Sequence, residues 1–465
     1  MSHIQSFGAA ETVTGSCHLI HLDSGPQVMI DCGYFQGGSE QYNSDAFNFD
    51  PEAIDVLLIT HAHLDHIGRI PILIKKGFKG RIISLRTTME LARVVLMDSA
   101  KIAEADFEIA TKQAKRSGDS RLVPPPLFNM DDVRAVFDSN IQYADYNAAI
   151  TLVQGVKATF RNAGHILGSA TIQIDIEEKQ QNKILVFSGD LGSTKALLMP
   201  LSTPIKKADV LYIESTYGDQ NHRRLKESIE EFKTTVINTL NNQGNVVIPS
   251  FAIERSQEIL LLLKQMYYAN ELPKCRVFLD SPMAIKATQI YSQHYHELNG
   301  SAKKHLEQDG NLFDFPYLQY TLKNADSVLI NELESGCIII AGSGMCTGGR
   351  ILQHFKHRLS DAKNSVIFVG YQVEGTLGRK MIDGIDAIQL HHKTIAVNAK
   401  IHMIKGFSAH ADQSDLLKWM HNFEKLGQIN LVHGDPDKQA TLKHEIKAQL
   451  NKNAHIVKYA EKVAI

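Results

Sequence analysis

The chain has 465 residues, too many for one compact core and a fitting length for two domains. Hydrophobic residues make up 43% and charged residues 22%, ordinary for a soluble enzyme, and a net charge of −2 supplies no overall attraction to nucleic acid. A polyanionic substrate must then be held by a local patch or by metal ions, and five scattered cysteines without a C-x-x-C pair exclude a disulfide frame or a zinc ribbon.

The N-terminal third alternates strands with turns. Val28 to Ile30 runs into Asp31-Cys32-Gly33, and the apolar run from Val56 ends in Thr60-His61-Ala62-His63-Leu64-Asp65-His66. Arg81 to Leu85 reads as a strand, and residues 87 to 117 favour helix until Gly118 and the break at Pro124-Pro125-Pro126. Strands follow over Val156–Phe160, Ala170–Ile176 and Lys183–Phe187, with the polar turns Asn162-Ala163-Gly164-His165 and Ser188-Gly189-Asp190. Hairpin strands of this kind predict an α/β sandwich. From Asp209 the pattern is strand, helix, strand, helix, strand, which predicts a parallel-sheet α/β domain. Helical spacing is clear for Ile229, Phe232, Val236 and Leu240, and strands at Cys337–Ala341 and Asn364–Val369 extend the sheet. The last 75 or so residues return to the earlier style, with Thr394–Lys405 leading to Ser408-Ala409-His410-Ala411-Asp412 and a short strand ending in His433-Gly434-Asp435. No apolar run is long enough to span a membrane and no basic-then-apolar leader is seen, so the expected location is the cytoplasm.

Polar residues of metal-ligand type stand at these strand ends: Asp31, His61, His63, Asp65, His66, His165, Asp190, His410 and His433. Imidazole and carboxylate are natural zinc ligands. His61 and His63 lie two apart at a strand exit and can face one ion, while Asp65 and His66 in the turn can face a second. His165, Asp190 and His433 close the set. A dinuclear site needs about seven or eight ligands with a bridging carboxylate, and this set is large enough.

Together Asp31, HAHLDH at 61–66, His165 and Asp190 resemble the metallo-β-lactamase superfamily. Glu214 in ESTYG, His410 in SAHAD and His433 in HGD resemble the three further motifs of its β-CASP nucleases, the group of the cleavage and polyadenylation endonuclease subunit and its bacterial and archaeal relatives. PSFAIERSQE at 249–258, GSGM at 342–345, GGR at 348–350 and GYQVEGTLGR at 370–379 fit the same group. The resemblance implies a metallo-β-lactamase αββα sandwich over residues 1–204 and 389–465, with an inserted β-CASP parallel α/β domain over 205–388. It implies two zinc ions per chain: one on His61, His63, His165 and Asp190, the other on Asp65, His66, His433 and the bridging Asp190. A histidine at the last motif, here His433, marks members that act on RNA, where DNA-repair members carry valine. Relative to archaeal members, N-terminal KH domains and a long C-terminal assembly domain are expected to be lacking.

The implied activity is a zinc-dependent ribonuclease, endo- or 5′-exonucleolytic, that hydrolyses single-stranded RNA in a cleft between the domains by a two-metal mechanism. Asp31 is expected to orient a ligand histidine. His410, held protonated by Glu214, is the expected acid for the leaving O3′. Ser343 and Gly344, with Arg350 at a helix start, and Arg255 and Arg379 are expected to contact RNA phosphates. A small-molecule metallo-hydrolase explains the HAHLDH set but not Glu214 and His410. A non-catalytic RNA-binding subunit is expected to have lost ligands. Homodimerisation stays open.

Overall fold

Apolar residues on both faces of a strand require cover on both faces, and the first half of the chain meets that requirement with stacked layers. The computed structural model describes residues 2–117, 123–178, 181–390 and 393–465. The chain divides into two compact units: Met1–Thr194 with Leu201–Asn221 and His410–Ile465, and Lys195–Pro200 with His222–Ala409.

Among the described residues, the first unit holds two seven-stranded sheets. In one the order is Lys462–Ala464, His3–Ser6, His18–His21, Gln27–Ile30, Val56–Leu58, Arg81–Leu85, Ile141–Ala144. In the other it is Ala454–Ile456, Lys425–Val432, Lys207–Glu214, Gln181–Phe187, Ala170–Glu178, Val156–Asn162, Ala149–Val153. Ile30, Leu58 and Ile83 of the first sheet pack with Phe160, Ile172, Ile174, Leu185 and Tyr212 of the second, so the sheets meet face to face. Leu57 and Ile82, one residue out of phase, are buried on the opposite face. On the far side of the second sheet, Leu211, Ile213 and Leu431 pack against Leu416 and Met420 of helix Gln413–His421 and Leu442 and Ile446 of helix Pro436–Leu450. This is the expected αββα sandwich. The expected long helix is Arg86–Ser117, and all its buried residues lie between Thr87 and Ala100, so its second half projects past the core.

The second unit has a six-stranded sheet, in the order Leu318–Tyr320, Arg276–Asp280, Cys337–Ala341, Val246–Pro249, Ser365–Phe368, Lys400–Met403. Every pairing in it is parallel, as the strand–helix alternation predicts. Two segments sit in the other unit from the one their local pattern suggests. Lys207–Glu214 belongs to the sandwich, paired in parallel with Gln181–Phe187 and with Lys425–Val432. Lys400–Met403 belongs to the second unit, as an edge strand beside Ser365–Phe368. Strand pattern reports burial, whereas partner choice depends on residues far away in sequence, here about 35 residues away for one and more than 200 for the other. No helix among the described residues is long and apolar enough to cross a membrane.

Candidate metal centre

Strand Val56–Leu58 lies inside its sheet, and the chain leaves it still tethered, with Ile59 N–H donating to Ile83 O at 3.1 Å. Thr60 then donates twice to Asp31, from its backbone N–H to Oδ1 and from its hydroxyl to Oδ2, both at 2.8 Å. His63 precedes a one-turn helix, Leu64–Ile67, which turns Asp65 and His66 back towards the strand end. The loops meet closely. A Cβ on Gly33 would stand 1.6 Å from Asp65 O, and one on Gly192 would stand 1.7 Å from Gly164 O, so only glycine fits either position. Asp31 and His433 both hold left-handed backbone, φ 59° and 51°, a conformation that persists only where the surroundings enforce it.

Two groups of donors result, each with its ligand atoms within 4.8 Å of one another. In the first, His63 Nδ1 lies 3.1 Å from His61 Nε2 and 3.2 Å from His165 Nε2. Asp190 Oδ2 lies 3.4 Å from His61 Nε2 and 3.6 Å from His165 Nε2. In the second, His433 Nε2 lies 3.2 Å from His66 Nε2 and 3.4 Å from Asp65 Oδ2. Asp190 Oδ1 lies 3.3 Å from His66 Nε2 and 3.6 Å from His433 Nε2. Ligands on a tetrahedral zinc at about 2.0–2.1 Å stand roughly 3.3 Å apart, which the first group approaches; in the second, Asp65, His66 and His433 form the close set, with Asp65 Oδ2 at a wider 4.0 Å from His66 Nε2, and Asp190 Oδ1 lies beside it. Asp190 offers one oxygen to each group, and among the described residues no hydrogen bond of good geometry reaches its buried Oδ1, which has His66 Nε2 at 3.3 Å. A buried carboxylate oxygen left so is costly, and a cation satisfies it.

The protonation states suit metal ligation in the first group, whereas in the second, against the effect of burial, Asp190 and Asp31 raise His66 well above the usual imidazole range and Asp190 and Asp65 raise His433, so these two rings would give up a proton on ligation. Burial lowers the imidazoles of His61, His63 and His165 and neighbouring imidazoles add to it, taking His63 to about 3, so these rings are neutral. Burial alone would raise Asp190, but His433, His66 and His61 hold it well below the usual carboxylate range. Outer partners set the tautomers. His66 Nδ1 is 2.7 Å from Asp31 Oδ2, which reserves Nε2 for the site. Thr60 Oγ1 sits 3.1 Å from His61 Nδ1, and Thr216 Oγ1 sits 3.1 Å from His433 Nδ1, with the same result for each ring. Thr60 and Thr216 escape a reading that looks for titratable ligands, although each adjoins a motif, in Thr60-His61 and in Glu214-Ser215-Thr216.

A third cluster joins Asp190 with Glu214 and His410. Glu214 ends its strand fully buried, where Ser188 Oγ receives its backbone N–H at 3.0 Å and its Oε1 accepts from Leu191 N–H at 2.6 Å. Its Oε2 lies 3.2 Å from His410 Nδ1, and His410 Nδ1 is 3.9 Å from Asp190 Oδ2. Burial works against the charged imidazole, yet Glu214, with Asp190 and Asp65, raises His410 to about 9. His410 is not the cap of the helix that follows: Asp412 is, accepting from Asp415 N–H. Asp31 touches His66 and Thr60 and so acts through them as a positioning residue.

In the second unit the expected phosphate contacts fall out differently. Arg255 is buried and paired with Glu258. Arg350 is spent on Asp280 Oδ1 at 2.7 Å, Thr321 O at 2.6 Å and Asn324 Oδ1 at 2.8 Å. Each is tied within that unit to a buried carboxylate. Arg379 is exposed and engages Asp383 through Nε at 2.9 Å. Ser343 Oγ accepts from Thr347 N–H at 3.0 Å, and Gly344 O accepts from Gln372 at 2.9 Å, which closes that loop upon itself.

Comparison with known proteins agrees with this arrangement. The metallo-beta-lactamase superfamily model matches residues 11–237, the Beta-Casp domain matches 256–381, and the Zn-dependent metallo-hydrolase RNA specificity domain matches 394–457. A Thermus thermophilus protein named Ribonuclease TTHA0252 is 36% identical over 439 residues, covering 94% of each chain. From Methanocaldococcus jannaschii, an RNase J-like protein is 31% identical over 92% of this chain and 91% of its own, and Transcription termination factor FttA is 31% identical over 97% and 70%. A crystal structure of a protein of unknown function from Enterococcus faecalis V583 superposes over 100% of both chains with a TM-score of 0.55 at 12% identity, which speaks to the fold alone. With two clustered donor groups in an αββα sandwich and matches along most of its length, the chain belongs to the β-CASP family of the metallo-β-lactamase superfamily.

Proposed function

We propose that this protein is a zinc-dependent ribonuclease that hydrolyses single-stranded RNA, with two zinc ions held by His61, His63, His165 and Asp190 and by Asp65, His66, His433 and Asp190. The observation that carries the reading is the placement of Asp190, whose two oxygens face separate donor groups while Oδ2 also lies 3.9 Å from His410. Imidazole and carboxylate donors at this spacing favour zinc. When bound, the two ions supply hydroxide near neutral pH and offset negative charge at the scissile phosphate.

The chain's own residues do the rest. Asp31, Thr60 and Thr216 fix which ring nitrogen each ligand histidine presents. Glu214 holds His410 by Nδ1, so Nε2–H carries the deliverable proton. With the nucleophile so supplied, the P–O3′ bond would break as a new P–O bond forms, and His410 would give its proton to the departing O3′. RNA as substrate is supported by His433 at the last motif, by the RNA specificity domain match and by the names of the relatives. The test is cleavage of a single-stranded RNA supplied with 5′-phosphate, with 5′-hydroxyl and as a circle. Wild type is expected to cleave, and His410→Ala to lose about 10²–10⁴-fold in rate with its metal content unchanged. Cutting of the circle assigns endonuclease action. Intact RNA in all three forms, alongside hydrolysis of a thioester or lactam, overturns the reading.

A further inference from the structure

Ligands of parallel α/β sheets gather beyond the carboxyl ends of the strands. In the second unit, three adjacent strands, Cys337–Ala341, Val246–Pro249 and Ser365–Phe368, end side by side. The loops that follow them carry an exposed aromatic assembly. Phe251 stands beyond the middle strand, 39% exposed, and Tyr371 beyond its neighbour, 43% exposed. The Phe251 ring lies against glycine on both sides of its strand. A Cβ on Gly344 would stand 2.8 Å from the ring, and one on Gly370 would stand 3.2 Å from it. A side chain at Gly344 would push the ring away.

The backbone around the ring is locked. Phe251 O accepts from Ser256 N–H at 3.2 Å and from Ser256 Oγ at 2.7 Å. Buried Gln372 donates to Gly344 O at 2.9 Å, Gly370 O at 3.2 Å and Tyr371 O at 3.1 Å, tying together the two loops on which the ring rests. An exposed phenyl ring fixed so firmly loses little entropy when a flat ligand covers it. Arg379, exposed and paired with Asp383, lies on the helix Leu377–Ile382 that follows the Tyr371 loop.

We propose that Phe251 is a stacking platform for a nucleobase of single-stranded RNA, with Tyr371 as a neighbouring aromatic surface. This rests on the ribonuclease reading and names the part of the substrate that the second unit holds: the base face, independent of sequence, because every base has one. Base–aromatic stacking corresponds to a loss of about fivefold to a hundredfold on removal of the ring.

The test uses the full chain and two probes, a 20-nucleotide single-stranded RNA and a stable abasic oligomer of the same backbone and length. Phe251→Ala is expected to weaken binding of the RNA within that range, with the loss on KM rather than on kcat, and to leave affinity for the abasic oligomer as in wild type. Phe251→Trp restores RNA binding, while Phe251→Leu, which keeps the apolar volume and guards against a folding defect, does not. Equal affinity of Phe251→Ala and wild type for RNA, or an equal loss on both probes, overturns the platform. If wild type neither binds nor cleaves RNA, the ribonuclease reading itself fails, and that result is distinct from either.

Discussion

Substituting Asp31 by Asn changes a single atom pair at the edge of the metal centre and puts the outer-partner argument at risk. Asp31 accepts from Thr60 N–H at 2.8 Å through Oδ1 and faces Thr60 Oγ1 at 2.8 Å and His66 Nδ1 at 2.7 Å through Oδ2. Asparagine tolerates the φ of 59° at this position at least as well as aspartate, so the backbone need not move. Its carbonyl keeps the Thr60 N–H bond. Its NH2 donates where a carboxylate oxygen accepted, so His66 Nδ1 must now accept and Nε2 must carry the proton. That is the wrong tautomer for a ligand. Two hydrogen bonds to Oδ2 are disturbed, from Thr60 Oγ1 and from His66 Nδ1; the charge-assisted His66 bond alone contributes about 1.5–3 kcal/mol, which converts to roughly 10–100-fold in metal affinity. The loss falls chiefly on the ion that His66 would hold, because Asp31 meets His66 directly and reaches His61 only through Thr60 Oγ1. Zinc titration against a competing chelator, followed by counting of bound metal, separates the two sites. The site that contains His66 is expected to weaken more than the site that contains His61, His63 and His165. Unchanged affinity for both ions, or equal weakening of both, refutes the reasoning.

Two further predictions concern the second unit. Asp280 is fully buried and receives Thr321 Oγ1 and Ser327 Oγ, both at 2.6 Å, and Arg350 and His354, both at 2.7 Å. Asp280→Asn leaves two basic groups without their carboxylate, and denaturant unfolding should show a loss of about 3 kcal/mol. Burial would raise the Asp280 carboxyl, but His354, Ser327 and Thr321 draw it down to about 2. Its contribution is therefore present above the unfolded value, about 3.9, and is lost as pH falls through about 2. Wild type and Asp280→Asn should converge in stability at strongly acid pH, and a constant gap between them contradicts the assignment. Glu254 has the opposite sign. Burial first, then Glu258, raises it well above the usual range, while the Tyr291 hydroxyl holds its Oε2 at 2.6 Å. The folded state keeps this proton, so wild-type stability declines once pH rises past the unfolded value of about 4.3. Glu254→Gln retains an acceptor for Tyr291 and has no proton to lose, so thermal unfolding should show it gaining on wild type at pH 8 and matching it at pH 4. The same difference at both pH values refutes the assignment.

The stretch from Thr60 to His66 was legible because ligands two to five residues apart need only a strand exit and one turn to converge. His165, Asp190 and His433 were legible as polar residues closing strands, yet their convergence with His61 depends on two sheets packing face to face, which no local pattern encodes. Glu214 shows the limit most clearly. Its strand reads as the start of a parallel domain, but its partner strand Lys425–Val432 lies more than 200 residues on and draws it into the sandwich. The partners of the cations are the least legible feature. A basic residue in a sequence does not disclose its counter-charge: Arg255 finds Glu258 three residues away, and Arg350 finds Asp280 seventy residues back. The roles of Thr60 and Thr216 are not legible in sequence, because a hydroxyl that orders an imidazole has no signature beyond its place beside a motif.

The central claim is that Asp190 joins two cation sites. Anomalous diffraction at the zinc edge, from crystals of the chain grown with zinc, tests it directly. Two peaks are expected, one bonded to His61, His63, His165 and Asp190 Oδ2, the other to Asp65, His66, His433 and Asp190 Oδ1. A single peak, or two peaks that do not share Asp190, contradicts it.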